Sequence, residues 1–167
     1  MFATNAILSL KSLPDVVINP DSKSARTKVF YGTYLASACL GTANMSLHHK
    51  LCHTLGGSFS LPHAEVHTIM LPHSVAYNAP AVGDRLDPLK GLSEGTEDAV
   101  VALDKFVRGL GVEKRSLKEL GLREEDVDKA AEIACQQQYP NPRPLEQDKI
   151  KKLIRRAWEG EAARADL

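Results

Sequence analysis

The chain has 167 residues, with 21 Lys+Arg against 21 Asp+Glu, 43% hydrophobic and 25% charged residues. That length gives about one domain with a real core and excludes wholesale disorder, which needs low hydrophobicity and high net charge. The neutral balance gives no electrostatic reason to expect nucleic acid or an anionic membrane as partner.

Met1 to Leu13 reads as a helix carrying Ile7, Leu8 and Leu10, closed by Pro14 and by Asn19-Pro20-Asp21. Val16 to Ile18 is strand-like but too short to build a sheet. Ser22 or Ser24 offers an N-cap. Ala25 to Met45 follows, apolar on most faces, the pattern of a buried central helix. Ser46 caps a helix over Leu47 to Leu55, with Gly56-Gly57 as its stop. Pro62 opens another over His63 to Tyr77, with Pro72 as a break or kink. Asn78 to Gly95, with Pro80, Gly83, Pro88 and Gly91, reads as loop.

Beyond it, Val100, Leu103, Val107 and Leu110 fall at spacings of three and four, and Gly109 and Gly111 end that helix. Leu117 to Leu120 is a turn. Val127, Ala130, Ile133 and Ala134 mark a helix behind the start Arg123-Glu124-Glu125-Asp126. Pro140-Asn141-Pro142-Arg143-Pro144 is a rigid loop, and Ile150, Leu153, Ile154 and Trp158 share one side of a last helix. The expected fold class is all-α, as one helical domain over residues 1–167.

Cys39, Cys52 and Cys135 are odd in number and form no Cys-x-x-Cys, which fits a reducing compartment. No apolar run approaches the ~20 residues of a membrane helix. The N-terminus has no early positive charge and no clear cleavage site. A cytoplasmic location is expected.

All six histidines lie between His48 and His73. His49 and His53 are four apart, hence on one face of a helix. The turn at Gly56-Gly57 allows His63 to fold back toward them. Three imidazoles then converge, a ligand set suited to zinc, iron, copper or nickel, and a catalytic metal commonly keeps three protein ligands and an open position. His48, His67 and His73 read instead as ordinary side chains of a histidine-rich surface helix. Neither a G-x-G-x-x-G nor a Walker loop is present.

The stretch Leu47-His48-His49-Lys50-Leu51-Cys52-His53-Thr54-Leu55-Gly56-Gly57-Ser58-Phe59, then Leu61-Pro62-His63-Ala64-Glu65-Val66-His67 and Leu71-Pro72-His73, closely resembles the maleylacetate reductase branch of the iron-containing alcohol dehydrogenase superfamily. Leu120-Gly121-Leu122 and Asn141-Pro142-Arg143-Pro144 extend the resemblance through nearly the whole chain. It implies the C-terminal part of that superfamily's helical domain, without the α/β domain that binds the nicotinamide cofactor and without the Asp/Asn and first His of the metal set.

The resemblance further implies an NAD(P)H-dependent reduction of maleylacetate to 3-oxoadipate in aromatic-compound degradation. His49 and His63 would be metal ligands, for Fe2+ or Zn2+, if the metal is retained. His53 would lie near the nicotinamide of NADH or NADPH and the reacting carbon. In the metal-free branch His53 and His63 would act on the substrate directly, stabilising an enolate and donating a proton. Lys50 would pair with a carboxylate of this small dicarboxylate, or stand as a solvated surface residue. Phe30, Tyr34 and Leu35 are expected to form an exposed apolar patch, giving a homo-oligomer, other association through that surface, or poor solubility. Two other readings are a non-catalytic helical fragment or interaction module, and a metal-binding helical protein using His49, His53 and His63.

Overall fold

The computed structural model describes residues 1–137 and 139–167. Among the described residues every regular element is helical, so the fold is all-α. The helices are α1 (Phe2–Leu10), α2 (Leu13–Ile18), α3 (Lys23–Leu40), α4 (Leu47–Phe59), α5 (His63–Val82), α6 (Ala99–Gly109), α7 (Asp126–Cys135) and α8 (Gln147–Glu159), with a 3-10 segment over Gly83–Leu92. They form two compact units, residues 1–44 with 84–111, and residues 45–83 with 112–167.

In the first unit α1 and α2 lie against α3. Gly32 sits where α1 and α3 meet. A Cβ there would lie 3.0 Å from Leu10 Cγ and Ser9 Cβ, so any larger residue would push these neighbours back by a few tenths of an ångström. Ser22 caps α3, its Oγ accepting from the Ala25 N–H at 3.3 Å. The strand-like Val16 to Ile18 is helical, in an α2 opened by Pro14 at its first turn. The expectation of a buried central helix is overturned for α3. It buries only Ala25, Gly32 and Leu35, while Phe30 and Tyr34 are 66% and 69% exposed. Apolar residues all round a helix say that it has contacts to make, not where they are. Of the three residues expected in an apolar patch, Leu35 is therefore buried and the two aromatics are exposed.

The second unit holds the larger core. Leu47, Leu51 and Leu55 of α4 meet Val66, Met70 and Tyr77 of α5, Val127, Ala130 and Ala134 of α7, and Ile150, Leu153 and Ile154 of α8, all fully buried. These positions repeat at three and four, so each helix turns one apolar stripe inward. Each large side chain contributes roughly 1.5–3 kcal/mol through burial. Trp158 packs on the same core and donates its Nε1–H to the Leu122 carbonyl at 2.7 Å.

The expected helix stop at Gly56-Gly57 fails, as does the break that is one of two readings of Pro72, and for one reason. Gly56-Gly57 does not stop α4, which continues to Phe59 and ends at Ser60, in the left-handed region at φ 56°. Nor does Pro72 end α5, which passes through Pro72 and Pro80 to Val82. An interior glycine costs ~1 kcal/mol and an interior proline about 3. The buried residues on either side of each breaker outweigh that. The expected loop from Asn78 is consequently the end of α5 followed by the 3-10 segment.

The Asn-Pro-Arg-Pro loop fastens these helices together. Tyr77 Oη donates to the Pro144 carbonyl at 2.6 Å and accepts from the Glu146 N–H at 3.0 Å. Arg143 lies over the Tyr77 ring, 4.6 Å from its centroid, and donates to the Tyr77 carbonyl. The Asn141 and Asn78 amides pair at 2.8 and 3.2 Å. Asn141 Oδ1 also accepts from the Leu47 N–H at 3.3 Å, satisfying one of the orphan donors that open α4.

Candidate functional site

The helices α4 and α5 pack together with only residues 60–62 between them. Their apolar faces are taken by the core, so the histidines occupy the remaining side. His49 and His53 are one turn apart on α4, and His63 and His67 one turn apart on α5. The chain reverses between them, so the pairs meet as two rungs. His49 lies against His67 with ring centroids 5.4 Å apart, and His53 against His63 at 6.3 Å. His48 joins the first rung, 5.3 Å from His49 and 4.9 Å from His67.

The two rungs differ in character. His53 and His63 are exposed and stack nearly parallel, 18° between planes. His48, His49 and His67 are partly buried, with interplanar angles of 80–88° between each pair. Contact between the rungs runs through His63 and His67, 4.2 Å apart, and through His49 and His53, 6.2 Å apart.

Burial, and then repulsion from His48, His63, His49 and His53, pushes the His67 pKa down to about 4. Burial also lowers His49, with His53 and His63 adding to it. For His48, burial again dominates, opposed by its bond to the His67 carbonyl. These three rings are therefore held neutral at pH 7, the form in which imidazole ligates a metal. The His48 Nε2 lies 3.1 Å from the His67 backbone oxygen, and His67 Nε2 is buried with no hydrogen-bond partner.

Of the histidines singled out from sequence, His49, His53 and His63 all lie in this cluster. Among the described residues, however, the set of three whose ligand atoms lie within 4.8 Å of one another is His48, His49 and His67. The sequence alone reads His48 and His67 as ordinary surface side chains. The signal for them was present: His63 and His67 repeat the spacing of His49 and His53, and a three-residue turn aligns the two pairs. His73 is buried in α5 at 4% exposure rather than on the surface. Lys50 is partly buried on α4, about 100° round the helix from His49. Cys52 is fully buried and its thiol is pushed up to about 12 by burial, so it is no nucleophile. No helix among the described residues is long and apolar enough to cross a membrane.

Fold and site together define an all-helical chain that offers clustered imidazoles from a reversing helix pair. The chain belongs to the Fe-containing alcohol dehydrogenase family, whose C-terminal model matches residues 1–158. It is 45% identical over 151 residues to the maleylacetate reductase of Delftia acidovorans, covering 90% of this chain and 42% of that protein. The maleylacetate reductase of Rhizobium sp. is 46% identical over 151 residues, with the same coverage. The crystal structure of a Rhizobium sp. maleylacetate reductase superposes with a TM-score of 0.91 at 43% identity, over 97% of this chain and 46% of that one. An iron-containing alcohol dehydrogenase from Corynebacterium glutamicum gives 0.87 at 32% identity, over 96% and 45%. The chain thus spans less than half the length of these relatives.

Proposed function

We propose that these residues supply the substrate-handling part of a maleylacetate reductase, with His53 and His63 acting on the substrate. One observation carries the reading. The two exposed imidazoles are stacked at the open rim of the cluster, where a bound molecule can reach both. The relatives that share the sequence are named for that reaction.

A reduced nicotinamide, when bound, supplies the hydride that adds to the alkene of maleylacetate. The chain's own work is on the charge and the proton. Hydride addition leaves an enolate, and an imidazole N–H beside it hydrogen-bonds the oxygen while keeping its proton. The second ring gives its proton to carbon, and the product leaves as the saturated ketone. Lys50 is assigned to a substrate carboxylate. These residues include no glycine-rich phosphate loop, so they account only for the nicotinamide end of NADH or NADPH, through His53.

A divalent ion also fits the donors present: His67 Nε2 is buried without a hydrogen-bond partner, and His48, His49 and His67 each bring a ligand atom within 4.8 Å of the others. The resemblance would place such an ion on His49 and His63, where it would polarise a carbonyl oxygen. The expected homo-oligomer rests on exposed Phe30 and Tyr34, and the expected cytoplasmic location on the cysteine pattern.

The reading is tested by titrating histidine-labelled chain with maleylacetate or 3-oxoadipate and following the ring resonances. Shifts centred on His53 and His63 are expected, and they should vanish in the His53→Ala/His63→Ala variant. Shifts elsewhere, or none, would overturn the assignment.

A further inference from the structure

The inner rung has a geometry that goes beyond the two-histidine metal set implied by the resemblance. The ring centroids of His48, His49 and His67 form a near-equilateral triangle with sides of 5.3, 5.4 and 4.9 Å. Each ring stands close to perpendicular to the other two, at 80°, 88° and 80°. One nitrogen from each lies within 4.8 Å of the others. We propose that His48, His49 and His67 form a site for a borderline divalent ion such as Zn2+, different in membership from the His49 and His63 pair implied by family resemblance.

Three independent features support it. First, a carbonyl can only accept, so the 3.1 Å contact to the His67 oxygen places the proton of His48 on Nε2. The Nδ1 of the neutral ring then carries the free lone pair. Backbone bonds of this kind fix the tautomer and orientation of metal-ligating histidines. Second, His67 Nε2 is buried without a partner. A buried polar group left without a partner is destabilising, and a cation would satisfy it.

Third, the required movement is small. Tetrahedral zinc with bonds of about 2.0–2.1 Å places its nitrogens ~3.4 Å apart. The rings must therefore close by at most about 1.4 Å from the 4.8 Å limit, within reach of χ1 and χ2 adjustments on partly buried side chains. Three protein ligands leave a fourth position open. The exposed His53 and His63 lie next to the triangle, through the His49 and His67 contacts.

The proposal does not depend on the reductase reading, since the metal alone is the probe. The full chain is stripped with chelator and titrated with Zn2+ by calorimetry, and with Co2+ by visible absorption. One equivalent is expected to bind, with an absorption spectrum showing nitrogen ligation. His67→Gln and His48→Gln should each weaken binding at least tenfold, and His63→Gln by less than threefold. Far-UV circular dichroism on each variant checks that it folds, and the two inner-rung variants check each other. The proposal is overturned if the wild-type chain binds no zinc. It is equally overturned if His63→Gln abolishes binding while His67→Gln spares it, or if all three variants bind as the wild type does.

Discussion

Lowering the pH should unfasten the histidine cluster before it affects the rest of the fold, and His67 sets the size of the effect. In the unfolded chain its imidazole takes up a proton near pH 6.5. In the folded chain burial and the four surrounding imidazoles delay that until about pH 4. Between those values the unfolded state binds more protons, so stability rises with pH there. The contribution is complete above pH 6.5 and is lost as pH falls toward 4. The full interval corresponds to about 3 kcal/mol for a dry site. His67 is partly buried, and screening by water reduces that to between about 1 and 2 kcal/mol. His48 and His49 are lowered as well and act in the same direction. The assay is urea unfolding of the chelated chain at pH 7.5, 6.0 and 4.5, beside His67→Gln. The variant cannot titrate at this position, and the backbone acceptor for His48 survives in it. Its stability should therefore fall less steeply with acid than that of the wild type. Equal slopes for the two proteins would refute the reasoning, because carboxylate protonation is common to both.

Asn141→Ala removes the amide that accepts from the Leu47 N–H and pairs with Asn78. A loss of about 1–3 kcal/mol is expected, read from urea midpoints, together with faster hydrogen exchange in the first turn of α4. Gly57→Ala should stabilise the chain by about 0.5–1 kcal/mol, since the added Cβ meets nothing within 4 Å inside a continuous helix. A loss of stability in that variant would mean that the helix ends at the glycine pair after all.

The regular helices of the second half were plain in the sequence. Val100 with Leu103, Val127 with Ala130, and Ile150 with Leu153 and Ile154 carry the three-and-four spacing that a one-sided burial demands, and these residues are buried. The breakers misled because their cost is local and the opposing gain is not. Gly56, Gly57 and Pro72 each weaken a helix by a known amount, but the buried leucines and Tyr77 that outweigh them act through partners far along the chain. The site was half legible for a similar reason. A spacing of four brings His49 and His53 together by helix geometry alone. Which imidazoles join them depends on the register of α5 against α4, and that register follows from α4 ending at Ser60 rather than at Gly56. The extra turn of α4 sets the rungs at His49 with His67 and His53 with His63, and makes His48 and His67 part of the cluster.

The central claim is that this chain's exposed imidazoles carry the chemistry on the substrate. Its most direct test grafts residues 1–158, the span matched by the family model, in place of the corresponding segment of the Rhizobium sp. maleylacetate reductase. Consumption of NADH and NADPH with maleylacetate is then measured for the chimera and for its His53→Ala and His63→Ala forms. The account predicts an active chimera that loses roughly 100-fold or more in kcat with either substitution, with little change in melting temperature. A folded, active chimera that keeps its kcat in both variants would contradict it.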